Sequence, residues 1–202
     1  MSAAVQPVVR RARVGDVPRL YEIINYYAAS GDMLPKTLDQ LYNRVRSFNV
    51  AEAGGEVIGC AALHITWADL AEVVSVAVHP DFQGRGVGRQ LIEPLFDEAH
   101  DLGIPTLFTL TLQAAFFSKL GFREVPRLRL PHKIWQDCTA CFKQDRCDEI
   151  AMVRQIGLQI VDYRCQSAVC NTRTICNLSG FRYAPTAAPR GLARRTVRRA
   201  AP

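Results

Sequence analysis

The stretch of residues 71–102 constrains the fold of this chain more than any other. β-Branched and apolar residues at 72–78 have the composition of a buried strand, and His79-Pro80-Asp81 then ends that strand in a turn. The glycine-rich run 83–88 comes next. Six apolar residues follow at the spacing of one helical face: Val87, Leu91, Ile92, Leu95, Ala99 and Leu102. The stretch therefore predicts a strand that passes through a glycine-rich turn into a helix.

A glycine-rich turn in front of a helix is suited to binding phosphate. The first amide groups of a helix have no carbonyl partner inside it and lie at the positive end of its dipole, and glycines let an anion approach them. Arg85 and Arg89 add positive charge. The alternative is a turn that only needs positive φ angles. No Gly-Lys-Ser/Thr follows, which excludes the common nucleoside-triphosphate loop, and no acidic residue stands at dinucleotide-fold distance.

Two signatures in this order resemble those of the GNAT superfamily of acetyl-CoA-dependent N-acetyltransferases. Gln83-x-x-Gly86-x-Gly88 is similar to the superfamily's pyrophosphate motif. Phe116-Phe117-Ser118-Lys119-Leu120-Gly121-Phe122 is similar to its second signature, a short helix that ends in Gly-Phe. GCAAL at 59–63, AEVVSVAVHP at 71–80 and LFTLT at 107–111 further resemble the acetyltransferase domain of the N-acetylglutamate synthases.

This resemblance covers roughly residues 8–153 and implies a fold and an activity. It implies the α/β GNAT fold, and the patterns agree, since they predict about seven short strands and four helices around a mixed, mostly antiparallel sheet. It implies transfer of acetyl from acetyl-CoA to the α-amino group of L-glutamate, the entry step of arginine biosynthesis. The second hypothesis is the same fold acting on glutamine, another small amine or a protein amine. The third is a non-catalytic module that binds acyl-CoA.

The resemblance also implies where acetyl-CoA binds. Carried over by position, backbone amides at the end of the valine strand would hold the pantetheine arm and the thioester, and the glycine turn would hold the diphosphate. Phe117 occupies the place where many members have a tyrosine that protonates the departing thiolate, and it has no hydroxyl. The expected coenzyme-binding residues are Val76, Ala77, Val78, Gln83, Gly84, Arg85, Gly86, Val87, Gly88, Arg89 and Phe117.

Glu72 is the candidate general base. A carboxylate within a strand of valines loses solvation as an anion, so it is inclined to take up a proton near neutral pH. The superfamily often has a glutamate on this strand that acts as base through a water molecule. The alternative is a structural role, in which Glu72 pairs with a cation such as His64 or simply lies at the exposed start of the strand.

A dicarboxylic amino-acid substrate needs cations for its carboxylates. Where the synthases present basic residues, this chain has Lys36 after the first helix, Lys133 within the polar segment 126–148, and Arg146 before the last strand. Pro35 stands where some synthases have arginine, which is a departure from their pattern. The three cations are the expected substrate-binding residues, and the alternative for each is a solvated surface charge.

Four residues have the types of a Cys3His zinc site: His132, Cys138, Cys141 and Cys147. Their spacing is irregular, and no second Cys-x-x-Cys pair exists in the chain. A cluster of reduced thiols is the favoured interpretation, and we expect the protein to require no metal.

Local signals predict the other elements. Asp16 is expected to cap a helix at 17–29, and Thr37 a second, shorter helix. The Gly54-Gly55 pair predicts the turn of a β-hairpin. A last strand is expected at 149–153.

Positive charge is concentrated towards the C-terminus. Residues 154–202 contain nine arginines, no lysine and one acid, so residues 1–153 are slightly acidic although the whole chain carries +6. We expect an acetyltransferase domain at 1–153 and a basic, poorly ordered extension at 154–202. The extension lacks interleaved aromatic residues, so no specific nucleic-acid binding is expected. Without a long apolar run, the chain is expected to be cytoplasmic and independent of membranes, with homo-oligomerisation left open.

Overall fold

The structure, a computed structural model, describes residues 6–130 and 147–157. Seven strands and four α-helices lie within these residues. The strands are β1 (Val8–Arg11), β2 (Phe48–Ala53), β3 (Glu56–Trp67), β4 (Leu70–Val78), β5 (Thr106–Thr111), β6 (Arg123–Glu124) and β7 (Ile150–Gln155). The helices are α1 (Val17–Ala29), α2 (Leu38–Asn43), α3 (Val87–Asp101) and α4 (Ala114–Ser118). Their number and order confirm the predicted α/β fold.

All seven strands form one sheet, in the order β1-β2-β3-β4-β5-β7-β6. Neighbouring strands are antiparallel except β4 and β5, which run parallel. A parallel pair needs a crossover connection, and α3 lies in the segment that joins these two strands. The sheet is therefore mixed and mostly antiparallel, as predicted.

Both faces of the sheet are covered by helices. Leu91 and Leu95 of α3 are fully buried in the cluster on one face, and Leu20 and Ile24 of α1 are fully buried in the cluster on the other. Each helix thus buries the apolar stripe that its sequence period predicts, except for Leu102, which follows α3 as its C-cap and is 52% exposed. Within the described residues, no helix has both the length and the apolar character that crossing a bilayer requires.

The predicted second helix, capped by Thr37, and the predicted β-hairpin are confirmed. The Thr37 side chain accepts a hydrogen bond from the Gln40 N–H at 3.2 Å, and the two residues form a complete capping box. Gly54 and Gly55 have φ values of +61° and +85°, which the turn between β2 and β3 requires.

The expectation that the Asp16 side chain caps α1 is wrong. Asp16 holds the N-cap position of α1, but its side chain makes no capping hydrogen bond to that helix. Its carboxylate instead accepts from the Arg13 N–H at 2.7 Å and from the Arg10 guanidinium at 2.7 and 3.0 Å. A bidentate, charge-assisted pair is stronger than a cap to a neutral amide, so it determines where the carboxylate points.

The last strand is longer than predicted. β7 ends at Gln155 and not at Val153, because β5 pairs with it up to the contact between Thr106 and Gln155. The Ile156 N–H continues this contact with a hydrogen bond to the Pro105 carbonyl at 2.8 Å. Residues 158–202 lie outside the described part, so the division into a domain and a basic extension stays a prediction.

Candidate active site

The glycine-rich turn connects β4 to α3 and is exposed. Gly84 and Gly86 have φ values of +72° and +79°, and Gly86 is the N-cap of α3. The first hydrogen bond of the helix joins the Gln90 N–H to the Gly86 carbonyl at 3.1 Å. The amides of residues 87–89 therefore have no carbonyl partner within α3. An anion can approach them without meeting a side chain at either glycine.

Gly88 has a packing role in the same turn. A Cβ atom at this position would lie 3.2 Å from Cζ of Phe116, which is tighter than ordinary van der Waals contact. Phe116 belongs to the segment that resembles the second GNAT signature, so the absence of a side chain at Gly88 lets the two motifs come into contact.

Two arginines surround the start of α3. The Arg85 guanidinium carbon lies 5.4 Å from the centroid of the Phe82 ring, within the range of a cation–π contact. Arg89 donates from Nε to Oε1 of Glu93 at 2.7 Å, one helical turn further on. Both arginines are exposed, but Arg89 is paired with Glu93, so Arg85 is the cation whose charge is available at the turn.

Gln83 is hydrogen-bonded to a residue that sequence analysis did not select. Its Nε2 atom donates to the hydroxyl of Tyr27 in α1 at 2.7 Å. The Tyr27 hydroxyl in turn donates to the carbonyl of Val78, the last residue of β4. No sequence signal connects residues 56 positions apart, which is why this contact was missed.

β4 and β5 pair only where they begin. Their register runs from Leu70 opposite Thr106 to Glu72 opposite Phe108. β4 then continues to Val78 without a further β5 partner in the described register. The expected pantetheine-binding residues 76–78 lie in this diverging part, where β4 has no β5 partner among the described residues and the Val78 carbonyl accepts from Tyr27 instead.

A β-bulge accompanies this divergence. Cys60 pairs with Ala77 and Ala62 pairs with Val74, so two residues of β4 oppose one residue of β3. Ser75 lies in the bulge with a φ of +53°, in the left-handed region that side chains rarely adopt. A bulge bends its strand, which agrees with the separation of β4 from β5. Serine is no signal for a bulge, so the sequence did not predict it.

Glu72 is half-buried and lies directly opposite His64 in the β3–β4 ladder. Alternate residues of a strand share a face, so Glu72 projects to the same face as Val74, which packs with the α1 cluster. The pairing of β3 with β4 therefore permits the structural alternative, in which Glu72 contacts His64. The catalytic role requires a substrate on the same face.

A pocket is present on that face. It lies between the α2 segment and β3 and β4, next to the bulge. Its lining combines two cations with polar and apolar side chains: Lys36, Gln40, Leu41, Arg44, Ser47, Phe48, Ala62, Leu63, His64, Val74 and Ser75. Lys36 was an expected substrate-binding residue, whereas Arg44 was not selected, because nothing in its local sequence distinguishes it from Arg46.

Comparison with known proteins decides the class. The family model described as the acetyltransferase (GNAT) domain matches residues 44–124, which include β4, the glycine turn and α3. An uncharacterized N-acetyltransferase of Chlorobaculum tepidum is 39% identical over 153 residues, which cover 76% of this chain and 99% of that protein. This chain belongs to the GNAT family of acetyltransferases. The GNAT resemblance and the expectation of an enzyme are thereby confirmed.

Other matches of this GNAT acetyltransferase have more specific names. An amino-acid acetyltransferase of Mycobacterium tuberculosis is 42% identical over 123 residues, covering 59% of this chain and 70% of that protein. The crystal structure of N-acetylglutamate synthase from Neisseria gonorrhoeae, complexed with coenzyme A and N-acetyl-glutamate, superposes with a TM-score of 0.69 at 27% identity. That match covers 78% of this chain and 37% of the synthase chain.

Phe117 is part of the core of this GNAT protein. It is 4% exposed, and its ring makes edge contacts with Phe116 and Phe122 at centroid distances of 5.1 and 5.3 Å. The adjacent Ser118 is exposed. The less buried Phe116, against Gly88, is thus the aromatic ring that adjoins the glycine turn.

Several expected residues lie outside the described part of the chain. These are two substrate-binding candidates and three members of the possible metal set: Lys133, Arg146, His132, Cys138 and Cys141. Cys147 is described, and its Sγ lies 2.7 Å from Nη2 of Arg127 and 3.8 Å from Oε2 of Glu149. The interpretations of these cysteines and cations remain predictions.

Proposed function

We propose that this GNAT acetyltransferase transfers the acetyl group of acetyl-CoA to the α-amino group of L-glutamate, the entry step of arginine biosynthesis. The relative named as an amino-acid acetyltransferase and the synthase crystallised with N-acetyl-glutamate support an amino acid as acceptor. The observation that carries the proposal is the pocket beside the β4 bulge, because it is lined by two cations, Lys36 and Arg44.

The acetyl-CoA site fits the glycine turn and the adjacent edge of β4. The amides at the start of α3, together with Arg85, supply hydrogen-bond donors and charge for a diphosphate. The β5-facing edge of β4 beyond Glu72 supplies backbone groups for the pantetheine arm. An amide on this edge also stabilises the thioester oxygen, which gains negative charge when the amine attacks.

The acceptor site has two cations for two carboxylates. Lys36 is a compact charge and Arg44 offers a planar fork, which suits bidentate binding of a carboxylate. In the described ranges, no ion pair joins either side chain to an acidic residue. Their charge is therefore available to a ligand. Ser75 and His64 also line this pocket. Ser75 lies on β4, the strand that carries Glu72, and His64 lies opposite Glu72 on β3, so the pocket adjoins Glu72.

Acetyl transfer requires a neutral amine. In our proposal Glu72 takes a proton from the substrate ammonium group, directly or through one water molecule. The amine nitrogen then bonds to the thioester carbon, the carbon–sulfur bond breaks, and coenzyme A leaves as a thiolate, while the second proton that the nitrogen loses as the amide forms passes to this thiolate or to solvent. A thiol pKa of roughly 8.5 makes this thiolate a tolerable leaving group, so the proposal assigns no acid in place of Phe117. It includes no metal ion.

A steady-state assay of coenzyme A release tests the proposal. Acetyl-CoA is offered with glutamate, glutamine, other amino acids and a peptide amine, and we expect the highest kcat/KM with glutamate. Glutamine has the size of glutamate but lacks the second carboxylate, so its kcat/KM reports on the two cations. Absence of turnover with glutamate, or a preference for the peptide amine, would overturn the proposal.

Variants in the pocket make the same assay more specific. Arg44→Met is expected to lower kcat/KM for glutamate by about 10- to 100-fold, the effect of losing a charged hydrogen bond, with little change in the KM for acetyl-CoA. Arg46→Met is the matched control, because Arg46 is exposed two residues further on and does not line the pocket. Equal effects of the two substitutions would contradict the assignment of the pocket.

A further inference from the structure

One hydroxyl group connects α1 to the end of β4 and to the start of the glycine turn. Tyr27, near the end of α1, donates to the carbonyl of Val78, where β4 ends, and accepts from Nε2 of Gln83, where the glycine turn begins. The same Gln83 nitrogen lies 3.5 Å from the Val78 carbonyl oxygen. The three residues thus form a closed hydrogen-bonded group in which Tyr27 is more than 50 positions from the other two.

Tyr27 is held so that its hydroxyl can perform both tasks. Its ring packs against the apolar cluster under α1 and meets the ring of Tyr26 edge-on at a centroid distance of 5.2 Å. A phenol has one proton to donate and lone pairs to accept, and both functions are used here. Burial is the main cause that raises the pKa of Tyr27, so the hydroxyl stays protonated and remains a donor throughout the neutral range.

The two partners of Tyr27 belong to the two halves of the proposed coenzyme site. Val78 ends the strand whose free edge is assigned to the pantetheine arm. Gln83 begins the motif assigned to the diphosphate, four residues before α3. The segment between them contains a short 3-10 turn at Pro80–Phe82, and its described contact with a strand is at its start, where the His79 N–H donates to the Ile58 carbonyl of β3 at 2.7 Å. A bond that spans it therefore sets the distance between the two halves.

We propose that Tyr27 is a positioning residue for acetyl-CoA, because its hydroxyl fixes the end of β4 relative to Gln83 and the glycine turn. The inference rests on the proposed placement of the coenzyme. It assigns no chemical step to Tyr27, so the residue acts on coenzyme affinity and leaves acetyl transfer itself unchanged.

Tyr27→Phe tests this inference, since it removes the hydroxyl and keeps the ring. We expect the Kd of coenzyme A, measured by titration calorimetry, and the KM for acetyl-CoA to rise by about 5- to 20-fold, the size of one or two lost hydrogen bonds. We expect kcat at saturating acetyl-CoA to stay within about twofold. Tyr26→Phe is the matched control, because Tyr26 is the preceding residue and is 61% exposed. It should change neither quantity.

A double-mutant cycle with Gln83→Leu separates positioning from general stability. If the two side chains act as one unit, Tyr27→Phe should raise the Kd of coenzyme A much less in the Gln83→Leu background than in the wild type. Additive effects on Kd, or a lower melting temperature with an unchanged Kd in Tyr27→Phe, would overturn the inference.

The failure of this inference can be distinguished from the failure of the proposed function. If wild-type protein binds coenzyme A and Tyr27→Phe binds it equally well, only the role of Tyr27 is refuted. If wild-type protein does not bind coenzyme A, both proposals are refuted.

Discussion

The position of Glu72 in β4 is the reason that it is the candidate general base. The strand alternates between the two faces of the sheet, and Glu72 projects with Val74 towards the face on which the cation-lined pocket opens. It is also the last residue of β4 that pairs with β5, so it lies where the two strands begin to separate. A carboxylate at this point adjoins both the proposed acceptor pocket and the proposed thioester site.

We predict that Glu72→Gln lowers kcat by about 10²- to 10⁴-fold, the usual contribution of a general base, because glutamine has the same size but cannot accept the proton. The affinity for coenzyme A should change little, which calorimetry can check. Glu56→Gln, at the exposed start of β3, is the control and should retain full activity. A Glu72→Gln enzyme with normal kcat would leave the pairing with His64 as the role of Glu72.

The ion pair between Asp16 and Arg10 makes stability depend on pH. Hydrogen bonding to Arg10 is the main cause that holds the pKa of Asp16 below its ordinary value, and the Arg13 amide adds to the effect. A carboxyl group with a lowered pKa in the folded state contributes stability above its unfolded pKa, near 3.9, and loses it as the pH falls through the folded pKa.

Asp16→Asn should therefore lower the free energy of unfolding at pH 7 by about 1 to 3 kcal/mol, since it replaces a charged acceptor by a neutral one. The variant should also lose part of the decline in stability that wild type shows below about pH 4. Urea unfolding across this range measures both effects. Asp97→Asn, exposed on α3, is the control, and an equal change in that variant would contradict the assignment.

The glycine turn and α3 form the element on which the coenzyme site depends. Gly84 and Gly86 adopt left-handed φ values, and nothing lies within 4 Å of a Cβ atom built at either position. Space is therefore available, and backbone conformation is the constraint on residue type. Gly88 shows the opposite constraint, because its φ is ordinary and Phe116 occupies the space of a side chain.

Gly86→Ala should lower the free energy of unfolding by about 1 to 2 kcal/mol, the cost of placing a Cβ in the left-handed region. It should also weaken coenzyme A binding, since the turn relaxes towards negative φ. Gly15→Ala is the control, because Gly15 has an ordinary φ and nothing within 4 Å of its Cβ position. It should be neutral or stabilising by up to about 1 kcal/mol. Chemical denaturation of the two variants decides between these outcomes.

At the scale of the whole described fold, β7 lies between β5 and β6 in the sheet. Arg154 of β7 places its guanidinium carbon 3.9 Å from the centroid of the Phe96 ring on α3. Nη1 of Arg154 donates to the Leu120 carbonyl, just before Gly121. This one side chain therefore connects the last strand, the long helix and the segment that follows α4.

Arg154→Met should reduce the free energy of unfolding by about 2 kcal/mol, because it removes a cation–π contact and a charge-assisted hydrogen bond but keeps an unbranched side chain. Arg123→Met, exposed on the neighbouring β6, should change it by less than about 0.5 kcal/mol. Thermal or urea unfolding gives the comparison, and similar losses in both variants would contradict the role of Arg154.

Features with a local cause were predictable from the chain alone. The amphipathic stripes of α1 and α3, the capping box at Thr37 and the Gly54-Gly55 turn all depend on neighbours within a few residues. The structure has them where expected, except that Leu102 lies beyond the end of α3 and is exposed. The cap at Asp16 was wrong, although also local, because Arg10 competes for the same carboxylate.

The candidate site was predictable only in part. The glycine turn and the placement of Glu72 on its strand follow from short motifs. The bulge at Ser75 and the contact of Tyr27 with Gln83 carry no local signal, because the first depends on strand pairing and the second on how α1 lies across the sheet. Arg44 became a candidate only when folding placed it beside Lys36.

The order of residues in the chain by itself determined the succession of strands and helices and the left-handed glycines before α3, since backbone sterics and hydrophobic period act over a few residues. Only the tertiary structure decided which cations share a pocket, where β4 leaves β5 and which hydroxyl meets Gln83. These are contacts between residues far apart in the chain, and they exist only after the sheet has aligned its strands and the helices have packed on its faces.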